Sequence, residues 1–487
     1  MPEPAADVGA WERHLCAPVT GRKVICSFEL LAGMTGLVAN LRRWGALRPL
    51  LLADGRGTGP IPDGADAEVV VLDTPRFASL TDQVRARTRP TDRLTPHVVA
   101  SVEAYDPDRS AVWWTSPIGP NTPLLDRPVF GGRPPQHIEL EDKMLVDELL
   151  SAVGAPLSGA VAVPAAHDDL IAASAEVRAG RDAGRARRDP SPAEGDSVVW
   201  AGDARDGING GGDFVRWVRD GRQARTAAAF FAAHCDKVRV SPFLEGVPCS
   251  VHGIVLPDGV VVLRPMELAT LRDPGKGRFL YAGMGTSWEP PPADADAMRR
   301  LARDLGEHLR QRVAYRGAFG LDGVLTEDGF RVTELNPRFS GGLTRMNRAA
   351  PAAQLELIHI NALLDRDIGK PASQIETEAL ALLEDNRFVD VMGVSTSATA
   401  AHSLEVPVTA GQSQLEAADD ADQVIGTVLC GPSPLGTFVR LVPGQGVVGV
   451  GDRAAPLAVL LLEFADRTWG AGFGPVTMAS AVRRQAV

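Results

Sequence analysis

The chain has 487 residues, 45% of them hydrophobic and 23% charged, which are the proportions of a globular protein with sizeable cores. Its formal net charge of −11 disfavours nucleic-acid binding, because contacts to phosphates require clustered Lys and Arg. No apolar run is long enough to span a bilayer and the N-terminus shows no signal-peptide pattern, so we expect a cytoplasmic protein that binds neither nucleic acid nor membrane. The five cysteines form no CxxC pair, which predicts buried reduced thiols rather than a zinc site.

The first 138 residues predict an α/β domain with a parallel sheet, because short apolar runs alternate with helical stretches. The helix "TGLVANLRRWG" is expected to end at Gly45. Gly33 and Gly36 form no GxGxxG fingerprint, and we interpret them as turn glycines. The predicted strands are "KVICSF", "RPLLLAD", "AEVVVLD" and "AVWWTSP".

A middle region, residues 139–372, opens with a predicted helix near Ile138, "IELEDKMLVDELLSAVGAP", which Gly154 ends. The basic segment around residues 176–190 is interpreted as a solvated insertion, with phosphate steering as the alternative. Several strands and the amphipathic helix "DADAMRRLARDLGEHLRQRVAY" follow. From Pro371 onwards the Val-, Thr- and Gly-rich composition predicts a small α/β or β-rich C-terminal domain, residues 373–487.

The stretch "GLDGVLTEDGFRVTELN" predicts a β-hairpin. We expect "EDG" to form a three-residue loop with Gly329 in the left-handed conformation. In that register Thr326 opposes Phe330, and Asp322 opposes Glu334. Directly opposed residues point to the same face of a sheet, with Cβ atoms about 5 Å apart, so the two carboxylates are predicted to be neighbours.

Three polar side chains alternate along the second strand, at Glu334, Asn336 and Arg338, and therefore share one face if the strand is regular. Asp322, Glu334 and Asn336 then converge as oxygen donors. Two opposed carboxylates repel each other, and Mg²⁺ relieves that repulsion while keeping coordination sites free for phosphates. The alternative is an exposed polar hairpin in which Arg338 neutralises Glu334.

The whole stretch "GAFGLDGVLTEDGFRVTELNPRFSGG" resembles the metal-binding hairpin of the ATP-grasp superfamily. The resemblance extends over residues 139–372 and implies an ATP-grasp fold, α+β in this portion, preceded by an α/β pre-ATP-grasp domain (residues 1–138). It also implies that Asp322, Glu334 and Asn336 hold magnesium ions on the phosphates of ATP. With its distinct C-terminal domain, the chain is similar to the pheganomycin-type peptide-ligase group.

Other segments occur in the order of that superfamily, and the resemblance implies a role for each. "EDKMLVDELLSAVGAP" resembles a helix whose lysine, here Lys143, contacts phosphate. "SVVWAGDARDGINGGGD" resembles a strand and a glycine-rich loop over the triphosphate, and "VRVSPFLEG" a hinge whose main-chain groups hold adenine. The residues implied in nucleotide binding are Gly210, Gly211, Gly212, Phe243, Leu244 and Glu245.

The sequence departs from this pattern at two points. Trp200 stands where a second phosphate-binding lysine is expected. Three explanations are open: another cation such as Arg205 substitutes for the lysine, nucleotide binding is weakened, or the alignment is displaced. The hinge "SPFLEG" lacks the usual acid–lysine pair, although adenine recognition by main-chain groups does not depend on it.

Three further residues are candidates for catalysis. Arg338, beside the predicted metal site, is expected to stabilise the negative charge of the transferring phosphoryl group. Arg264 lies in an apolar strand, "VVVLRPMEL", where an arginine must find a partner. Either a phosphate or Glu267 would serve as that partner. Glu267 is correspondingly either a residue of the catalytic site or a structural partner of Arg264.

The predicted function is ATP-dependent carboxylate–amine ligation through an acyl phosphate, with ATP and Mg²⁺ as cofactors. An amino acid or small peptide is the substrate class that the resemblance implies, and a homodimer is one option for the assembly. Two alternatives are kept. A carboxylase-type reaction would phosphorylate bicarbonate, but the sequence has no "AMKM"-like biotinylation motif. A nucleotide-binding pseudoenzyme or partner subunit would account for Trp200.

Overall fold

The computed structural model describes residues 9–72, 76–185, 197–397, 400–411, 414–418 and 423–485. Within these ranges the chain forms a parallel sheet followed by two antiparallel sheets, which confirms the predicted α/β fold class. None of the helices in the described ranges is both long and apolar enough to cross a membrane.

The N-terminal sheet consists of parallel strands in the order β3-β2-β1-β4-β5. Because β2 and β4 flank β1, the strand order reverses between β1 and β4. The strands are β1 (Val24–Leu30), β2 (Leu50–Gly55), β3 (Glu68–Val71), β4 (Val112–Trp114) and β5 (Val129–Phe130). The helices are α1 (Ala10–Cys16), α2 (Leu31–Arg43), α3 (Leu80–Thr88) and α4 (Pro96–Tyr105), with a 3-10 turn at Pro90–Arg93.

Helix α2 starts directly after β1, four residues before the predicted start. Gly33 and Gly36 therefore lie inside a helix, and their interpretation as turn glycines is wrong. Burial of Met34, Val38 and Leu41 on one face of α2 outweighs the low helix propensity of the two glycines. Gly45 ends this segment with a positive φ of 76°, as predicted.

A four-stranded antiparallel sheet follows, in the order β6-β9-β7-β8. The predicted single helix from Ile138 is wrong, since the chain forms two short helices separated by a turn that contains Lys143. Helix α7 includes the first part of the basic segment, and residues 186–196 lie outside the described ranges. The elements are α5 (Pro135–Glu139), α6 (Val146–Ala152), β6 (Val161–Pro164), α7 (His167–Arg185), β7 (Val198–Gly202), β8 (Val215–Val218), α8 (Gly221–His234) and β9 (Lys237–Pro242).

The largest sheet is antiparallel, in the order β15-β14-β10-β12-β13-β16-β20-β19-β17-β18, with β11 also paired to β10. Its strands are β10 (Val247–Leu256), β11 (Gly259–Val262), β12 (Met266–Asp273), β13 (Arg278–Gly285), β14 (Gly317–Thr326), β15 (Gly329–Asn336), β16 (Val389–Ser395), β17 (Leu404–Ala410), β18 (Leu415–Ala417), β19 (Gly426–Ser433) and β20 (Gly436–Pro443). Its helices are α9 (Pro292–Arg312), α10 (Gly341–Ala349), α11 (Leu355–Leu363), α12 (Ala372–Asp385), α13 (Ala454–Trp469) and α14 (Ser480–Gln485), with a 3-10 turn at Pro351–Ala353.

The two faces of this sheet have different environments. One face packs against α9 and α13, and the other packs against α10, α11, α12 and the N-terminal region. The predicted boundary after residue 372 falls at the start of α12, yet the sheet continues across it, because Gly283 pairs with Val391 and Gly285 with Val389. Residues 373–487 thus share a sheet with the preceding segment.

Candidate active site

The β14–β15 hairpin places Asp322 directly opposite Glu334, by a route that differs from the predicted one. The turn is one residue tighter than expected, so Thr326 pairs with Gly329 rather than with Phe330. A bulge at Thr333 then adds one residue to the second strand and restores the expected pairing at the site. Gly329 has the predicted positive φ, 95°.

The polar side chains of this hairpin form a connected group. Asn336 donates from Nδ2 to Asp322 Oδ2 over 2.9 Å. Lys143, from the turn before α6, has its Nζ 2.6 Å from Glu334 Oε1. Ser250 on β10 lies opposite Asp322 on its other side. Burial, together with the negative charge of Glu334, raises the pKa of Asp322 to about 6.

Arg338 is held in place by two acceptors. Its Nη2 donates to Asn336 Oδ1 over 2.8 Å, and its Nε donates to Glu141 Oε1 over 3.1 Å. The ion pair of Arg338 is therefore with Glu141, and Glu334 is paired with Lys143 instead.

Glu141 is a site residue that sequence reasoning missed. It is buried and forms ion pairs with both Arg338 and Arg133. Arg133 also donates from Nη1 to the carbonyl oxygen of Pro337 over 3.0 Å. Burial alone would raise the pKa of Glu141, but the two guanidinium ions hold it below the ordinary value. The only sequence signal for Glu141 is its position two residues before Lys143.

The side chains of this group are suitable ligands for Mg²⁺. Two opposed carboxylates, Asp322 and Glu334, and the amide of Asn336 supply hard oxygen atoms. Burial and the neighbouring Glu334 both disfavour the ionised form of Asp322, and a bound cation would offset that cost. Within the described ranges, no three His, Cys, Asp or Glu side chains are grouped so that they could hold a metal ion by themselves. A magnesium ion here would therefore rely on phosphate oxygens for its remaining ligands, as is usual for Mg²⁺.

Arg264 and Glu267 do not join this group, which corrects their predicted positions at the site. Arg264 forms ion pairs with Glu384 over 3.0 Å and Glu289 over 3.3 Å. Glu267 lies opposite Cys249 on β10, whereas Asp322 lies opposite the next residue, Ser250. Because successive residues of a strand point to opposite faces, Glu267 and Asp322 lie on opposite faces of the sheet.

On that face Glu267 is fully buried at the start of α13. It accepts from the Nε of Arg453 over 3.1 Å and from the backbone N–H of Ala454 over 2.7 Å. Arg264 and Glu267 therefore do not pair with each other, although the sequence had allowed that interpretation.

We expect Glu267→Gln to destabilise the fold rather than to remove the chemistry. The change deletes the buried charge that faces Arg453 and the N-terminus of α13, which should lower the free energy of unfolding by about 3 kcal/mol. Urea denaturation measures this change, with Glu405→Gln, at an exposed position on β17, as the matched control. An unaltered denaturation midpoint, or loss of ATP turnover in a stably folded variant, would contradict the structural role.

The glycine-rich loop between β7 and β8 contacts the N-terminal region. The backbone N–H of Gly210 donates to Thr81 Oγ1 on α3 over 3.2 Å, and Thr81 N–H donates to Asp213 Oδ2 over 2.9 Å. A Cβ on Gly211 would lie 2.3 Å from Leu80, so glycine permits this close approach. The predicted binding of phosphate by Gly210, Gly211 and Gly212 stays a prediction.

The predicted hinge is fixed by aromatic packing. Phe243 stacks on Trp217 and Phe279, with ring centroids 5.0 Å and 6.3 Å away. Glu245 pairs with Arg272 over 3.0 Å. These contacts involve side chains, so adenine recognition by main-chain groups of Phe243, Leu244 and Glu245 stays a prediction.

Trp200 does not face the hinge side of the small sheet. Its ring packs against Phe231 of α8, and its Nε1 donates to Ser174 Oγ on α7 over 2.9 Å. The neighbouring Ala201 points to the other face and lies opposite Arg239. Trp200 is thus a core residue between the sheet and its helices, and Arg239 places a cation on the other face of this sheet.

Arg239 and Arg205 already have partners in this structure. Arg239 lies 2.8 Å from Asp147 of α6. Arg205, the substitute considered from sequence, pairs with Asp206 over 3.2 Å and with Asp236 over 3.6 Å.

Comparison with known proteins identifies the central part of the chain. Residues 204–342 match the family described as ATP-grasp domain, which confirms the predicted ATP-grasp domain there. This segment contains the glycine-rich loop, the hinge and the β14–β15 hairpin. No curated protein matches the sequence significantly.

Solved structures with a similar arrangement share little sequence with the chain. A phosphoribosylamine–glycine ligase from Thermotoga maritima is 14% identical, with coverage of 91% of this chain and 96% of that chain and a TM-score of 0.48. A carboxyaminoimidazole ribonucleotide synthase from Aspergillus clavatus, complexed with ATP, is 13% identical, with coverage of 94% and 99% and a TM-score of 0.48. An L-amino acid ligase from Bacillus licheniformis is 12% identical, with coverage of 88% and 94% and a TM-score of 0.44.

Proposed function

We propose that the chain is an ATP-dependent carboxylate–amine ligase that acts on an amino acid or small peptide through an acyl phosphate. The observation that carries this proposal is the opposed pair Asp322 and Glu334, flanked by Lys143 and Arg338, within the segment that matches the ATP-grasp domain. The site combines ligands for a divalent cation with two cations suited to phosphate.

In the proposed reaction, the substrate carboxylate attacks the γ-phosphorus of ATP, which gives an acyl phosphate and ADP. The amine then attacks the acyl carbon, loses a proton and expels inorganic phosphate, which leaves the amide. This sequence requires no covalent bond to the protein, so the contribution of the chain is positioning and electrostatic stabilisation.

The site residues have distinct roles in this proposal. Asp322, Glu334 and Asn336 would hold Mg²⁺, which supplies charge neutralisation on the phosphate oxygens when it is bound. Lys143 and Arg338 carry the positive charge that faces the transferred phosphoryl group. The free, buried cysteines are compatible with the reducing cytoplasm as the proposed compartment.

A hydroxylamine trap tests this function. The protein is incubated with MgATP, hydroxylamine and a panel of amino acids and dipeptides, and both hydroxamate and ADP are measured. We expect hydroxamate from one carboxylate class in amounts equal to ADP, and none from the Asp322→Ala/Glu334→Ala double variant.

The other outcomes separate the alternatives. ADP without hydroxamate, dependent on bicarbonate, would favour a carboxylase-type reaction. Nucleotide binding without any ADP formation across the panel would favour a pseudoenzyme or partner subunit and would contradict the proposal.

A further inference from the structure

A cavity of about 320 Å³ lies between the N-terminal sheet and the helices that follow the β14–β15 hairpin. It is lined by the carboxyl ends of β1 and β4, by α2, and by residues of α10 and α11. The strand order of the parallel sheet reverses between β1 and β4, and open α/β sheets bind ligands at such a point. The volume is within the range of small-molecule sites.

Three polar side chains that line this cavity are buried without a hydrogen-bond partner. They are the hydroxyl groups of Ser27 and Thr115, which are 4% and 8% exposed, and the indole N–H of Trp44, which is 2% exposed. An unsatisfied buried polar group costs about 1–3 kcal/mol, so three of them around one cavity indicate a ligand with hydrogen-bond acceptors.

Two opposite charges in the lining also have no partner in the described ranges. Glu356, half-buried at the start of α11, and Arg348, an exposed residue of α10, form no ion pair within 4 Å with each other or with another described residue. Burial raises the pKa of Glu356 to about 7. Cys26 of β1 lines the same cavity, and burial together with the charge of Glu356 raises the pKa of its thiol.

The other charged side chains of the lining are already compensated. Glu29 lies 2.5 Å from Arg87, and Arg43 is paired with Glu12. The charge that remains for a ligand is therefore one carboxylate and one guanidinium. A ligand that matches both must carry one positive and one negative group.

We propose that this cavity binds a free amino acid as its zwitterion, with the ammonium group at Glu356 and the carboxylate at Arg348. The hydroxyl groups of Ser27 and Thr115 and the indole N–H of Trp44 donate to the oxygen atoms of the ligand. This inference rests on the proposed function, since it locates the recognition of an amino-acid substrate. The binding itself requires no nucleotide.

Calorimetric titration of the full chain without ATP tests the proposal. The probes are the twenty standard L-amino acids and dialanine, followed by the N-acetyl and the amide derivative of each ligand that binds. We expect binding of at least one free amino acid. Removal of either ligand charge should weaken binding at least about tenfold, the equivalent of about 1.4 kcal/mol per charge-assisted contact.

Two substitutions assign the contacts. Glu356→Gln should weaken binding of the free amino acid about tenfold, and N-acetylation of the ligand should then weaken it little further. Arg348→Gln should also weaken binding about tenfold, and amidation of the ligand carboxylate should then weaken it little further. Glu405→Gln and Arg300→Gln, both at exposed positions outside the cavity, are the matched controls. The derivative series on the wild-type chain keeps the test valid if a variant does not fold.

The proposal is overturned if no probe binds at millimolar concentration, if the derivatives bind as tightly as the free amino acid, or if both cavity variants bind like the wild type. ADP formation is measured separately. Charge-dependent binding without ADP formation would uphold the cavity as an amino-acid site while contradicting the ligase function. Acyl-phosphate formation without amino-acid binding in this cavity would uphold the ligase function and contradict the cavity as an amino-acid site.

Discussion

Glu334→Gln should reduce ATP-dependent hydroxamate formation by about a thousandfold, with little change in stability. The substitution preserves the shape of the side chain but removes one of the two opposed charges on β14 and β15. A neutral amide binds Mg²⁺ more weakly than a carboxylate does, and Lys143 loses the partner that lies 2.6 Å away. We also expect the concentration of Mg²⁺ needed for half-maximal rate to rise.

The measurement is the initial rate of hydroxamate and ADP formation across a Mg²⁺ titration. Glu327→Gln is the matched control, because Glu327 lies exposed at the tip of the same hairpin. Near wild-type rates for Glu334→Gln at every Mg²⁺ concentration would contradict the assignment of this carboxylate to the metal site. A loss of rate in both variants would indicate that the hairpin is disturbed as a whole.

Glu141→Gln is the second substitution with a large expected effect. It should lower the free energy of unfolding by about 3–5 kcal/mol, because it leaves the buried guanidinium of Arg133 and the partly buried guanidinium of Arg338 without their shared carboxylate. The chain places Arg133 and Arg338 on either side of this carboxylate, with Arg338 Nε 3.1 Å from its Oε1. Folded Glu141→Gln protein should also turn over ATP more slowly, since Arg338 loses one of its two anchors.

Denaturant unfolding and the rate of ADP formation measure the two effects. Glu139→Gln, an exposed carboxylate two residues away, is the control. Because Glu141 acts through Arg338, its loss should lower kcat more than it raises KM for ATP, whereas a purely structural role would change stability alone. A variant as stable and as active as the wild type would remove Glu141 from the account of the site.

The hairpin shows what strand geometry alone can predict. The opposition of Asp322 and Glu334 follows from local alternation, and it holds although the predicted loop length was wrong, because the bulge at Thr333 offsets the tighter turn. Gly329 marks the turn, but no distinctive residue marks the bulge. The predicted pair Asp322–Glu334 was therefore right, whereas the pair predicted next to the turn, Thr326–Phe330, was wrong.

The wrong position predicted for Glu267 has a definite cause. Glu267 lies on β12, and the direction that its side chain faces depends on the register of β12 with β10. Glu267 points away from Asp322 because it opposes Cys249 and not Ser250. A displacement of one residue moves a side chain to the other face, and single-sequence patterns do not fix that register.

Residues 133 and 141 were missed for a different reason. Arg133 was part of a Pro- and Gly-rich loop, and nothing in such a loop predicts a buried arginine. Its partner Glu141 is eight positions away, whereas Arg338 is separated from Glu141 by 197 positions. Contacts over such distances follow from the assembled fold, while the α/β pattern and the identity of the central domain follow from local motifs.

The ion-paired group of Arg133, Glu141 and Arg338 has a consequence for modular engineering. The segment that matches the ATP-grasp domain begins at residue 204, so two of the three members lie upstream of it. If that segment were excised or grafted onto another chain, Arg338 would keep Asn336 but lose its carboxylate anchor. The smallest transplantable catalytic unit therefore has to begin before Arg133, well upstream of the boundary that sequence similarity suggests.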